Sequence, residues 1–194
     1  MADHRFDGLA LLVVDVQQGF EDPRWGTRNN PDCDANIAAL VDEWRTAGRC
    51  VVYVRHDSEA PGSPLRAGSA GNQLKPYLSA PPDLLITKSV NSSFHGRPDL
   101  HAWLRDQSLE GLVICGITTN HCCETTARVG GNLGHRVLFA LDATHTFERT
   151  GPDGHTLTAD ELARATATNL HGEFADVVRT ADLLSVARRR HSPV

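Results

Sequence analysis

The chain has 194 residues, of which 40% are apolar and 22% charged, so it is long enough to bury a sizeable core as one domain spanning 1–194. A formal net charge of −5 argues against nucleic acid or an anionic membrane as the main partner. No apolar stretch reaches membrane-spanning length and Met1-Ala2-Asp3-His4-Arg5 is no signal peptide, so a cytosolic location is expected.

The run Leu9-Ala10-Leu11-Leu12-Val13-Val14 reads as a buried strand that ends in Asp15. Residues Trp25 to Pro31 form a loop close behind it. In this stretch Phe20 and Trp25 could build an apolar wall, and Arg28 or Asn29 could grip a polar substrate; an ordinary surface loop with a buried tryptophan is the other reading. Ala35 to Thr46 has helical spacing, with Ile37, Leu40, Val41 and Trp44 on one face and Gly48 as the stop. Cys50 to Val54 is the second strand. A polar loop rich in Gly, Pro and Ser follows from Arg55 to Asn72, and loops of this length are usually functional or disordered.

Leu84 to Thr87 is the third strand, ending in Lys88. Asp99 to Gln107 is a helix and Leu112 to Cys115 the fourth strand. Gly116-Ile117-Thr118-Thr119-Asn120-His121-Cys122 leads from it into a helix expected from Cys122 to Leu133. Arg136 to Leu141 is the fifth strand. Thr158 to Leu170 is a helix whose cap Thr158 is followed three residues on by Glu161, a capping box. Ala175 to Val178 is a short sixth strand and Ala181 to Arg189 the last helix, its end marked by the solvated basic cluster Arg188-Arg189-Arg190. Strand and helix alternate without repeat or linker. That argues a three-layer α/β/α Rossmann-like domain on a mostly parallel sheet of about six strands.

The five cysteines, Cys33, Cys50, Cys115, Cys122 and Cys123, are odd in number and irregularly spaced, which does not suggest a disulfide framework. None has structural-zinc spacing. Of the 19 basic residues only Lys75 and Lys88 are lysines. Lysine can lose its proton when buried and arginine cannot, so a lysine at a strand end looks chosen for that place.

Three apolar runs thus finish in Asp15, Lys88 and Cys122. In a parallel sheet these ends share one rim, where α/β proteins place ligands and nucleophiles. A cysteine in the first turn of a helix feels the positive end of the dipole, so an exposed thiolate is expected there. Asp15 can accept its proton and Lys88 can stabilise both charges. The backbone N–H of Cys122 is placed to serve an oxyanion, because first-turn amides lack intrahelical partners.

These motifs resemble the isochorismatase-like cysteine hydrolases, which include nicotinamidases, N-carbamoylsarcosine amidases and related amidohydrolases. The resemblance is carried by Asp15-Val16-Gln17, by Lys88 to Ser92-Ser93-Phe94, and by Gly116-x-x-Thr119-x-x-Cys122 followed by Thr126-Ala127-Arg128. It implies a cis peptide between Ile117 and Thr118, the N–H of Thr118 as a second oxyanion donor, and dimers or larger homo-oligomers. The activity it implies is cleavage of a C–N bond in a small amide, lactam or ureido compound through a thioester. A vinyl-ether hydrolase, or a non-catalytic small-molecule-binding module on the same fold, is the alternative. The family commonly has an apolar residue where Cys123 stands, and Cys123 is expected to pack against the sheet.

Nicotinamidases carry a metal-binding Asp-x-His with a further histidine after the second strand. Here no second histidine follows His56 before His95, so no metal is expected and His56 is read as a substrate-site or loop-ordering residue. Together with Trp25 to Pro31, His56-Asp57-Ser58 resembles the metal-independent branch that includes streptothricin hydrolases. His121 could line the pocket or lie on the surface. His145 and His171 are read as polar residues ordered by hydrogen bonds. No GxGxxG or Walker signature stands at a strand-to-helix turn, so no cofactor is expected.

Overall fold

The computed structural model describes residues 6–188, so Met1 to Arg5 and most of the basic cluster Arg188 to Arg190 lie outside the described residues. The sheet has six strands: β1 (Leu9–Val14), β2 (Val51–His56), β3 (Leu84–Lys88), β4 (Gly111–Ile117), β5 (Arg136–His145) and β8 (Asp176–Val178). They are hydrogen-bonded in the order β3-β2-β1-β4-β5-β8, and every pairing is parallel. A short antiparallel hairpin of two-residue strands, β6 (Arg149–Thr150) with β7 (Thr156–Leu157), adds to the elements expected from the sequence.

Strand β1 is the central element, and all of its residues are buried. Its side chains alternate between two cores, which is why it reads as an unbroken apolar run. Leu9, Leu11 and Val13 face helix α1 (Cys33–Thr46), meeting Ile37, Leu40, Val41 and Trp44. Leu183 of α5 (Thr180–Arg188) joins that core. Ala10, Leu12 and Val14 face the opposite core with Leu100 and Leu104 of α2 (Leu100–Asp106), Ala127 of α3 (Glu124–Asn132) and Leu170 of α4 (Ala159–Leu170). Removing one of these large buried side chains, such as Trp44, should cost roughly 3–5 kcal/mol. Thr158 and Glu161 make the expected reciprocal capping box at the start of α4.

The chain steps outward in one direction from β1 to β3, then returns to the other side of β1 with β4. This reversal opens a crevice at the carboxyl ends of β1 and β4, the position where open parallel sheets bind ligands. Register brings the strand ends level there: Val14 lies opposite both Val54 and Gly116, and His56 opposite Lys88. Gly116 is obligatory at this approach. Its φ is +130° and an added Cβ would sit 2.0 Å from the Val14 carbonyl oxygen.

Strand β5 runs to His145 rather than stopping at Leu141, and its register with β4 shifts between Ile114 and Gly116. Polar side chains hold the irregularity. Asn36 donates to the Asp142 carbonyl at 2.7 Å and Asn30 to the Thr144 carbonyl at 2.6 Å. The Asp142 carboxylate accepts from Thr180 N at 2.7 Å and thereby caps α5.

Candidate active site

Asp15 leaves β1 with φ +52° and directs its carboxylate under the crevice. Lys88, the last residue of β3, donates to Asp15 Oδ2 at 2.6 Å, and neither side chain is exposed. Burial alone would lower the Lys88 pKa. The Asp15 carboxylate and then Cys122 outweigh it, so the net shift is upward and the side chain is an ammonium. A carboxylate oxygen of Asp15, a ring nitrogen of His56 and Cys122 Sγ all lie within 4.8 Å of one another. The three strand ends do converge.

The segment carrying Cys122 differs from the expected helix start. Ile117–Thr118 is cis. Thr119–Cys123 then forms one wide turn of π type, with Thr118 O accepting from His121 N at 3.3 Å and Cys123 N at 3.2 Å. Helix α3 proper begins only at Glu124. Cys122 is 8% exposed rather than open at the rim. Burial first, then Asp15, push its thiol well above the usual cysteine range, and the opposing pull of Lys88 is smaller. Cys122 is thus a buried sulfur beside a carboxylate, not the exposed one expected from the dipole. Cys123 is fully buried and packs in the core with Ala127 and Phe139.

The motif residues around the three groups hold backbone in place. Gln17 is buried and bonds both the N–H and the carbonyl of His56, at 2.8 and 3.0 Å, and the Asn72 carbonyl at 3.0 Å. This closes the end of β2 onto the long loop. Asn72 itself donates to the carbonyls of His56 and Leu65 and to Asp57 Oδ1. Ser93 N donates to Thr126 Oγ1 at 3.0 Å, which clamps the segment after β3 to α3. That clamp carries Asn91, whose Oδ1 lies 3.8 Å from Cys122 Sγ. Neither Asn72 nor Asn91 carried a sequence signal, because each acts through a contact distant in the chain.

His56 points inward, with Nδ1 3.3 Å from Lys88 Nζ. Burial and then Lys88 lower its pKa. A nicotinamidase-type metal set does not fit here. Asp57 is bonded to Arg55 at 2.9 Å and to Asn72 at 2.9 Å, so its carboxylate is already engaged.

Trp25 and His121 line a cavity of about 220 Å³ with Thr118, Phe147, Arg24 and Arg149. Phe20 stands behind it, its ring 5.2 Å from Trp25 and 6.4 Å from Phe147. His121 Nδ1 is 3.3 Å from Thr118 Oγ1, and burial followed by Arg149 lowers its pKa. The candidate grips Arg28 and Asn29 do not line this cavity. Arg28 is paired with Asp34 at 2.8 Å and donates to the Pro31 carbonyl. Asn29 accepts from Thr146 N at 2.9 Å and donates to Asp160 at 3.2 Å. Both are occupied in fastening the 26–31 loop. A larger cavity of about 720 Å³ is lined by the segments that follow β2 and β3, among them Asp57, Arg66, Ser89 and His95, but the Lys88 side chain has no exposure to it.

His145 also departs from expectation. It is fully buried, and among the described residues neither ring nitrogen has a hydrogen-bond partner. His171 Nδ1 accepts from Val177 N at 3.2 Å.

The isochorismatase domain profile matches residues 9–182. The chain belongs to the isochorismatase family. As an isochorismatase-family hydrolase it is 35% identical over 183 residues to the uncharacterized family protein YrdC of Bacillus subtilis, covering 94% of this chain and 97% of that one. Nicotinamidase 3 of Arabidopsis thaliana is 29% identical over 183 residues, covering 87% and 83%. A streptothricin hydrolase of Streptomyces noursei is 33% identical over 143 residues, covering 72% and 55%. The crystal structure of an isochorismatase-family protein from Chromobacterium violaceum superposes with a TM-score of 0.87 at 37% identity, covering 93% and 94%. Among the described residues no helix is long and apolar enough to cross a membrane.

Proposed function

We propose that this isochorismatase-family hydrolase cleaves the C–N bond of a small amide, lactam or ureido compound, with Cys122 as nucleophile and Asp15 as proton carrier. The observation that carries the reading is the buried Lys88–Asp15 pair at 2.6 Å with the Cys122 sulfur beside it. The names of two relatives, a nicotinamidase and a streptothricin hydrolase, support it.

In the first half-reaction the Cys122 S–H proton passes to Asp15 as sulfur attacks the acyl carbon. The C–S bond forms and the carbonyl oxygen takes negative charge. The N–H groups of Thr118 and Cys122 are assigned to that oxyanion. Asp15 then returns the proton to nitrogen as the C–N bond breaks, since an amine leaves poorly unless protonated. In the second half water attacks the thioester carbon and gives a proton to Asp15; the C–S bond then breaks and Asp15 returns that proton to sulfur, which restores both the thiol and the carboxylate. Lys88 keeps its positive charge throughout and compensates the carboxylate in a site where water cannot. Trp25, Phe147 and His121 line the cavity of about 220 Å³ together with Thr118, next to the nucleophile turn, and would hold a flat, compact acyl group. A vinyl-ether hydrolase would need the proton from Asp15 but not the sulfur.

The test is a screen of small amides, lactams and ureido compounds for ammonia or amine release, followed by intact-protein mass spectrometry after rapid acid quench. An acyl adduct on the Cys122 peptide is expected. Full turnover of a true substrate by Cys122→Ala, with no adduct on the native protein, would overturn the covalent route.

A further inference from the structure

Asp15, His56 and Cys122 come from three different strand ends, yet each brings one donor atom to a common point within 4.8 Å of the others. Oxygen, nitrogen and sulfur together form a ligand set suited to Zn²⁺, whereas Mg²⁺ and Ca²⁺ take oxygen ligands. Three protein ligands leave a fourth position for water, as in open zinc sites.

Two details identify the lone pairs the cluster can offer, one open and one shared with Lys88. Asp15 Oδ1 is buried and has no hydrogen-bond partner among the described residues, while Oδ2 is held by Lys88. His56 Nδ1 lies 3.3 Å from the Lys88 ammonium. An ammonium only donates, so Nδ1 must be the unprotonated nitrogen of that ring.

We propose that Asp15, His56 and Cys122 form an inhibitory site for one borderline-soft divalent cation, Zn²⁺ above all. On binding, Cys122 releases its S–H proton to solvent and forms a sulfur–metal bond. The Asp15 carboxylate and His56 Nδ1 coordinate through lone pairs, and nothing is oxidised or reduced. The bound ion occupies the nucleophile and the base together, so turnover stops until it leaves. The inhibition rests on the amide-hydrolase reading; the binding does not.

Lys88 sets the affinity. Its charge repels the ion, and the ion must displace it from His56 Nδ1 while taking Asp15 through Oδ1. Replacing Lys88 by a neutral side chain should therefore destroy activity and tighten metal binding, a pairing that a merely structural lysine does not predict.

The test uses the full-length protein stripped of metal by chelation and titrated with Co²⁺ as a spectroscopic probe. One equivalent should produce a near-ultraviolet sulfur-to-cobalt band, which Zn²⁺ then displaces. The band should vanish in Cys122→Ser. Affinity should fall at least about tenfold in His56→Ala, the lower end of what losing a supporting group costs a metal site, and rise in Lys88→Met. Circular dichroism checks that each variant is folded. As a measurement without mutation, Zn²⁺ should protect Cys122 of the native protein from alkylation. Absence of the band, or its persistence in Cys122→Ser, would overturn the site. Zn²⁺ binding that leaves turnover unchanged or raises it would overturn the inhibition. If no amide is ever turned over but the cobalt band forms as described, the metal site stands and the amide reading fails.

Discussion

Lys88 Nζ and Asp15 Oδ2 are 2.6 Å apart with neither side chain exposed, so each charge depends on the other for compensation in a pocket that water does not reach. Truncating one partner of such a pair leaves an unpaired buried charge, at a cost of about 3–5 kcal/mol. Lys88→Arg keeps the charge but replaces a compact ammonium with a planar guanidinium that the packed site cannot seat. We expect kcat to fall by at least about a hundredfold, the scale of losing one preorganised donor. Near-native turnover by Lys88→Arg would show that Lys88 supplies only distant charge.

Adjacent cysteines have separate fates. Cys122 lies beside Asp15, and Cys123 is sealed in the core with Ala127 and Phe139. Cys122→Ala should abolish turnover while leaving the fold intact. Cys123→Val adds about one methyl group to a sealed site and should cost no more than about 1–3 kcal/mol of stability, with activity retained. Steady-state assays and chemical denaturation of both variants decide it, and the reverse pattern would move the nucleophile to Cys123.

Two glycines with positive φ separate close approach from backbone strain. Gly116 (φ +130°) has Val14 O 2.0 Å from the position of an added Cβ, whereas Gly134 (φ +84°) has nothing within 4 Å. Gly134→Ala should cost only the left-handed penalty, roughly 1–2 kcal/mol. Gly116→Ala must push β4 away from β1 and disturb Thr118 two residues on. It should be far more damaging, to both thermal stability and activity. Equal losses in the two variants would mean that the sheet yields at Gly116.

The parts of this molecule legible in the sequence are those fixed by burial on both faces. Strand β1 reads in full because all of its residues are buried, and its end named Asp15 directly. The parts not legible depend on partners far along the chain. Strand β2 continues through the polar Arg55 and His56 because Gln17 bonds the His56 backbone. Strand β5 continues through Asp142 because Asn36 and Asn30 hold its carbonyls. Arg28 looked free to bind substrate, but the ion-pair cluster it forms with Asp34, which also engages Lys75, uses it to anchor a loop. Cys122 was placed at a helix start by its spacing from Gly116. The wide turn that seats it against Asp15, and Asn91 beside it, have no local sequence signature.

His145 gives a stability prediction with a definite sign. It is fully buried, edge-on to Phe147, with neither ring nitrogen partnered among the described residues. Burial first, then the positive charges of Arg28 and Lys75, lower its pKa from 6.5 to about 3; Asp34 opposes the shift and is outweighed. In this window the unfolded chain binds the proton and the folded chain does not, so stability rises with pH. The contribution of the neutral ring is fully present above pH 6.5 and is lost as pH falls toward 3. The slope approaches about 1.4 kcal/mol per pH unit at most. Between pH 7 and pH 5 the native protein should lose about 2 kcal/mol more than His145→Leu, which cannot titrate and leaves no unpaired nitrogen. Asp34 does not confound the comparison, since its pKa is held near 2 by Lys75 and Arg28 against the opposing effect of burial, well below the tested range. Urea denaturation of both proteins at the two pH values is the measurement. Parallel losses in the two proteins would mean that His145 finds a proton acceptor or water on protonation, and that its burial imposes no acid penalty.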